Sequence, residues 1–225
     1  MTAPHIGTLG EQHLHAALKR WLQESGDRVE VPLDGFVIDL VRGDTLIEVQ
    51  TRGFASMRRK FDTLLDHHAI RLVHPIAATK WIRKVDADGA EVSRRRSPKR
   101  GIVADVCAEL VSFPTLLSHP NFTLEVLLIE EEEVRRPDDR AWRRKGWGIA
   151  ERRLVDVVDR QQFSSVDDLG RLLPDGLPEP FTTAHLAAGL GRSRHLAQEV
   201  AYCLREAGVI AVAGRTRDGI QYVRA

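Results

Sequence analysis

An α/β fold, with a mixed sheet flanked by helices and a small helical module behind it, is what this sequence predicts. Three observations predict it. An N-terminal stretch of helical period precedes three closely spaced β-rich runs, and apolar runs and helical stretches then alternate to about residue 165. A proline cluster finally separates off two helices and a hairpin.

The opening run TLGEQHLHAALKRWLQESG repeats leucine at 14, 18 and 22 and stops at Gly26, the pattern of an amphipathic helix. Strands are expected at 28–31, 36–41 and 45–50, where β-branched and apolar residues dominate and Arg42-Gly43-Asp44 supplies a turn. A helix at 56–68, a strand in AIRLVHPI and another in TKWIRKVD come next, and DADGAE turns into a basic stretch. Between 101 and 160 the expected order is helix at 102–111, strand at 123–130 and helix at 150–160. Pro174, Pro178 and Pro180 cannot continue a helix or a central strand, so 166–180 reads as a linker between a 1–165 domain and a 181–225 domain. The second domain reads as a helix at 183–190 capped by Thr183, a turn at Gly191, a helix at 193–207 and a hairpin.

The chain has 225 residues, 43% of them hydrophobic, enough for one ordinary core and a smaller second unit. Its apolar runs are too short for a membrane span and no basic-then-apolar leader opens it, so a cytoplasmic protein without a membrane partner is expected. Cys107 and Cys203 lack neighbouring ligands, which argues against a disulfide framework or a zinc knuckle and for two buried small side chains. The net charge of +1 conceals segregation: eight Lys/Arg face three Asp/Glu between Lys80 and Arg100, and RRPDDRAWRRKGW is basic with two tryptophans. Such asymmetry suits one anion-facing side, although solvated charge runs look the same.

The chemistry lies in VIDLVRGDTLIEVQT. Strand alternation puts Glu48 and Gln50 on one face. An even hairpin loop sets Asp39 beside Glu48; an odd one would bury Asp39 against Ile47, so burial cost favours the even register. Two converging carboxylates repel, and a divalent cation removes the conflict. Two solvent-facing acids on an edge hairpin would give the same alternation.

At these residues the chain resembles the PD-(D/E)XK nuclease superfamily, whose signature is an acid on one strand and (D/E)-x-K on the next, after a helix that often carries Glu. Asp39 matches the first acid, Glu48 the second, and Gln50 stands where lysine is usual. The resemblance covers roughly residues 7–80 and implies a restriction-endonuclease-like mixed sheet. It implies Mg²⁺ (or Mn²⁺) held by Asp39 and Glu48, phosphodiester hydrolysis of DNA, and Gln50 and Glu11 as further catalytic positions. A neutral amide stabilises developing charge less than an ammonium does, and a cation could come from Arg52, Arg58, Arg59 or Lys60. Glu11 also completes a capping box with Thr8, a purely structural role. His15, one turn on, reads as a partly exposed helix residue.

Residues 181–225 resemble a winged helix-turn-helix domain. The resemblance places Arg192, Arg194, His195 and Gln198 at the groove-reading end of the second helix and Arg215 and Arg217 at the wing tip. Such domains also serve as protein interfaces. Arg95, Arg96 and Lys99 form either a phosphate-gripping loop or a solvated one. Trp142 and Trp147 either stack unpaired bases or, the reading preferred, pack the core. The expectation is a Mg²⁺-dependent endodeoxyribonuclease delivered to DNA by its C-terminal module. The alternatives are an inert nuclease-fold DNA-binding regulator and an RNA or structured-junction nuclease, and a homodimer is left open.

Overall fold

The computed structural model describes residues 6–217 and 219–225, with side chains from His13 onward. Its frame is a seven-stranded mixed sheet formed by β1 (Arg28–Leu33), β2 (Phe36–Arg42), β3 (Thr45–Val49), β4 (Ala69–Val85), β5 (Glu91–Arg96), β6 (Phe122–Pro137) and β7 (Trp147–Phe163). The order is β1-β2-β3-β4-β6-β7, and β5 pairs with the outer half of β4. β3, β4 and β6 run parallel and the remaining pairs antiparallel. The parallel steps need crossovers, which α2 (Arg58–Leu64) and α3 (Cys107–Leu110) help to supply.

Alternation along the central strands builds two cores. Leu14, Leu18 and Leu22 of α1 (Ile6–Leu22) pack on Leu40, Ile47, Val49, Val73, Leu127 and Ile129. Ile70, Leu72, Leu124 and Val126 point the other way, towards Phe54 and Phe61 near α2 and Leu110 of α3. That second core continues without a break into α4 (Thr183–Leu190), α5 (Arg194–Glu206) and the hairpin of β8 (Ile210–Thr216) and β9 (Gly219–Arg224), through Leu186, Val200, Leu204 and Tyr222. Residues 166–180 include a 3-10 helix whose Leu169 and Leu172 are buried in it. Cys203 on α5 directs its thiol at the Cys107 carbonyl, 3.8 Å away, and both cysteines are free and buried.

Several local expectations need correction. Residues 150–160 are not a helix but the middle of β7, which pairs with β6 through fourteen registered positions. Leu154, Val157 and Val158 fall at helix-like spacing, yet the β-branched pair and a long partner strand decide the outcome. The two strands expected at 69–76 and in TKWIRKVD are one strand, β4, with a bulge between Ala77 and Thr79. α1 is already helical at Ile6, so Thr8 lies inside it and cannot cap it; the Glu11 side chain lies outside the described residues. α4 is capped by Thr182 rather than Thr183, because Thr182 is extended and its hydroxyl accepts from Ala184 N and His185 N. Trp142 does not pack the core: it is 73% exposed. Among the described residues no helix is long and apolar enough to cross a membrane.

Candidate active site

β2 and β3 meet through the two-residue turn Gly43-Asp44, which gives the even register. Pairing runs Arg42↔Thr45, Val41↔Leu46, Leu40↔Ile47 and then ends. The next rung would join Asp39 to Glu48. Instead the strands part, and the Asp39 carboxylate enters the opening, where Oδ2 accepts the Val49 amide at 2.9 Å. The Asp39 amide in turn contributes slightly to favouring the charged form of Glu48. Asp39 is thus pinned by the main chain of the strand that carries Glu48.

The helices complete the pair from opposite faces. From α1, His15 Nε2 lies 3.0 Å from Asp39 Oδ2, and Lys19 Nζ lies 3.4 Å from Oδ1 and 2.8 Å from Glu30 Oε1. From α2, Lys60 Nζ donates to Glu48 Oε1 at 2.8 Å and to the Val37 carbonyl at 2.9 Å. Glu30, at the level of Asp39 where the β1–β2 register skips a rung, has a φ of 52°.

This unequal support divides the two acids electrostatically. Burial pushes the Asp39 pKa up, but the His15 and Val49 hydrogen bonds and the Lys19 charge more than offset it and hold the group below its ordinary value. Burial of Glu48 dominates the Lys60 contact and, with the charge of Asp39 added, leaves its pKa raised. Burial thus disfavours the charged form of Glu48 even beside its ammonium partner. A further positive charge at this point would lower the energy of the site.

Gln50 is placed differently from its motif position. Its amide nitrogen donates to the Arg52 carbonyl at 2.5 Å, turned into its own loop. Its backbone continues the sheet by donating to Val73 O, and its carbonyl accepts from His74 Nδ1 at 2.7 Å. That bond fixes the proton on Nδ1, and burial holds the His74 pKa down. Beyond the end of β3 opens a cleft of about 660 Å³ whose walls include Thr51, His74, Lys99, Glu109, Arg192 and His195.

The residues nominated for DNA contact divide by surroundings. Arg192 is committed within the chain, donating to the Arg100 carbonyl at 2.7 Å and lying 3.9 Å from Asp105. Arg194 and Gln198 are exposed on α5, and His195 lies 3.3 Å from Glu199. Arg215 and Arg217 are exposed at the β8–β9 turn. Arg95 and Arg96 belong to β5, with Arg96 bonded to Thr79 Oγ1, and Lys99 is exposed in the loop beyond. The structure brings none of these beside Asp39 and Glu48.

A family model described as Domain of unknown function (DUF8091) matches residues 12–164. The chain belongs to the DUF8091 family. The matched stretch contains Asp39, Glu48, Lys60 and the whole seven-stranded sheet. An uncharacterized protein of Treponema pallidum (strain Nichols) is 35% identical over 185 residues, 81% of this chain and 73% of that protein. No solved structure matches.

Lys19 and the partnership of His15 with Asp39 were missed in the DUF8091 sequence. Both lie four residues apart, beside the leucine stripe of α1 and over β2. That flanking pair of basic side chains was the available signal. Lys60 was one of four neighbouring cations, and only the turn of α2 singles it out.

Proposed function

We propose that this DUF8091 protein is a metal-dependent nuclease acting on DNA, with Asp39 and Glu48 as the metal-side acids and Lys60 as the working cation. One observation carries the reading. Two carboxylates on adjacent strands flank the point where a ladder opens, and an ammonium sits 2.8 Å from the acid whose pKa burial has raised. The sheet order, with an N-terminal helix across one face from Leu40 of β2 to Leu154 of β7, agrees with a restriction-endonuclease-like core, and the helix-turn-helix with its hairpin agrees with a winged helix.

The donor set suits a hard cation. Among the described residues no three His, Cys, Asp or Glu side chains form a complete cage. A Mg²⁺ or Mn²⁺ ion that keeps several waters needs only one or two protein carboxylates, and Asp39 and Glu48, at the opening between β2 and β3, would provide them. When bound, the ion supplies Lewis acidity towards a phosphoryl oxygen and a water of lowered pKa. The chain supplies the rest. His15 and Lys19 keep Asp39 ionised and aimed into the opening, while Lys60 orients Glu48 and offers positive charge where a phosphate gathers negative charge. Arg194, Gln198, Arg215 and Arg217 remain available to hold a duplex.

The test is nicking of supercoiled plasmid in Mg²⁺ or Mn²⁺ by the wild type and by Asp39→Ala and Glu48→Ala. Metal-dependent nicking lost in both variants is expected. Equal nicking by all three, or none by the wild type, ends the nuclease reading. The second reading, an inert DNA-binding regulator, is favoured by the inward turn of Gln50 and predicts duplex binding unchanged by either substitution and without strand cleavage.

A further inference from the structure

The β6–β7 hairpin carries its strands past the core to a tip at residues 138–146. At that tip Trp142 is 73% exposed, the most solvent-exposed large apolar side chain described in the protein. Indole normally finds cover, so an uncovered one on a folded loop asks for an occupant. The tip is built to hold it. Asp138 N bonds Gly146 O, Ala141 N bonds Asp138 O, Arg144 N bonds Ala141 O and Gly146 N bonds Ala141 O, all between 2.8 and 3.1 Å. Lys145 at φ 56° and Gly146 at φ 77° close the turn, and Gly148 lets Asp138 approach so closely that a Cβ there would meet its Oδ2 at 2.5 Å.

The charge around the indole is predominantly basic, with five Lys/Arg against Asp138 and Asp139 between Arg136 and Gly146. Arg136, Arg140, Arg143, Arg144 and Lys145 are all exposed, and none lies within ion-pair distance of a carboxylate among the described residues. Several cations elsewhere on the same sheet are spent internally: Lys80 meets Glu131 and Glu133, and Arg94 meets Glu132. The other strand tryptophans already carry a cation, Arg94 at 4.2 Å from the Trp81 ring and Lys84 at 4.4 Å from that of Trp147. Arg143 stands over Trp142 at 4.9 Å, but a ring has two faces. A presented aromatic face ringed by unpaired cations is the chemistry that receives a flat base on a phosphate chain, since stacking tolerates any base and the cations follow the backbone.

We propose that the hairpin tip is a separate nucleic-acid subsite, in which Trp142 stacks on an unpaired base while Arg140, Arg143 and Arg144 hold the flanking phosphates. The substrate form it selects is a single strand or an unpaired segment in a duplex, because a base inside a paired helix has no free face. The proposal rests on the nucleic-acid reading above but not on cleavage.

The experiment uses the full chain carrying Asp39→Ala and Glu48→Ala, so that binding is read without cutting and failure of the nuclease reading remains a different result. Fluorescence anisotropy of a labelled oligodeoxynucleotide is measured as single strand, as full duplex and as a strand of the same length with abasic sites. Adding Trp142→Ala is expected to weaken single-strand binding about tenfold and leave duplex binding within about twofold, with Trp142→Phe restoring most of the loss. The abasic strand is expected to bind the Trp142 protein as weakly as the intact strand binds the alanine variant. Joint Arg140→Gln, Arg143→Gln and Arg144→Gln substitution should weaken both forms and flatten the dependence on salt. Unchanged single-strand affinity in Trp142→Ala, or equal loss for strand and duplex, overturns the proposal. So does self-association of the parent that disappears in Trp142→Ala with oligonucleotide binding intact, which would make the tip a contact between copies.

Discussion

Lys60 reaches Glu48 Oε1 at 2.8 Å from a helix twelve residues further along the chain, while Gln50, two residues from Glu48, turns its amide to Arg52. The positive charge beside the acid therefore comes from α2 rather than from the strand. Lys60→Gln is expected to reduce plasmid nicking at least about tenfold and to cost roughly 1–3 kcal/mol in urea denaturation, since it strips a buried carboxylate of its partner. Lys60→Arg should recover much of the stability. A Lys60→Gln protein as active as wild type would remove that residue from the mechanism.

The opposite pKa shifts of the two acids give opposite pH signatures. Asp39, held low, contributes stability above the ordinary aspartate pKa of about 3.9 and loses it as pH falls through its depressed value. Glu48, held high, carries no penalty below the ordinary glutamate pKa of about 4.3 and its full penalty above its raised value. Without metal, the stability of Glu48→Gln relative to wild type should therefore rise with pH across the carboxylate range, whereas that of Asp39→Asn should fall. Denaturation midpoints at several pH values check both slopes; parallel slopes would show that the two sites are not electrically distinct.

A divalent ion should relieve the Glu48 penalty, so millimolar Mg²⁺ or Mn²⁺ is expected to raise the melting temperature. At ten times its dissociation constant a ligand adds about 1.4 kcal/mol. The rise should vanish in Asp39→Ala and in Glu48→Ala, and its persistence in either would put the ion elsewhere.

Gly101 ends the basic loop against β4, where an added Cβ would lie 2.3 Å from Ile76 Cγ2 and 2.9 Å from the Ala77 carbonyl oxygen. Gly101→Ala should cost roughly 1–3 kcal/mol, the usual scale of overpacking. Gly170, whose added Cβ would meet Val209 Cγ1 at 3.8 Å, is the matched control and should tolerate alanine. Equal melting of the two variants would show that the loop yields freely.

The opening helix, the first three strands and the closing helix-helix-hairpin were legible in the sequence because each carries a local signal: leucines at spacing four, a two-residue turn, an αL glycine at 191. The even β2–β3 register was legible for a stronger reason, since the odd one would strand a carboxylate against Ile47. What was not legible depends on partners remote in sequence. β7 is a strand because β6 lies beside it, although its own apolar spacing suits a helix. Lys60, Lys19 and His15 acquire their roles only when two helices are laid against opposite faces of the sheet. The exposure of Trp142 depends on how far a hairpin outruns its core, which no window of sequence measures.

Leu204, Val200 and Cys203 of α5 lie in the same apolar interior as Phe122 and Leu124 of the sheet. The tail and the sheet should thus melt as one unit, with no hinge on which the terminal helices could swing. Whatever those helices grasp is held at an angle set once, when the chain folds. On the nuclease reading proposed above, reach is then a fixed dimension of this molecule, and a target too short or too straight to span it would be held without being touched by the acids.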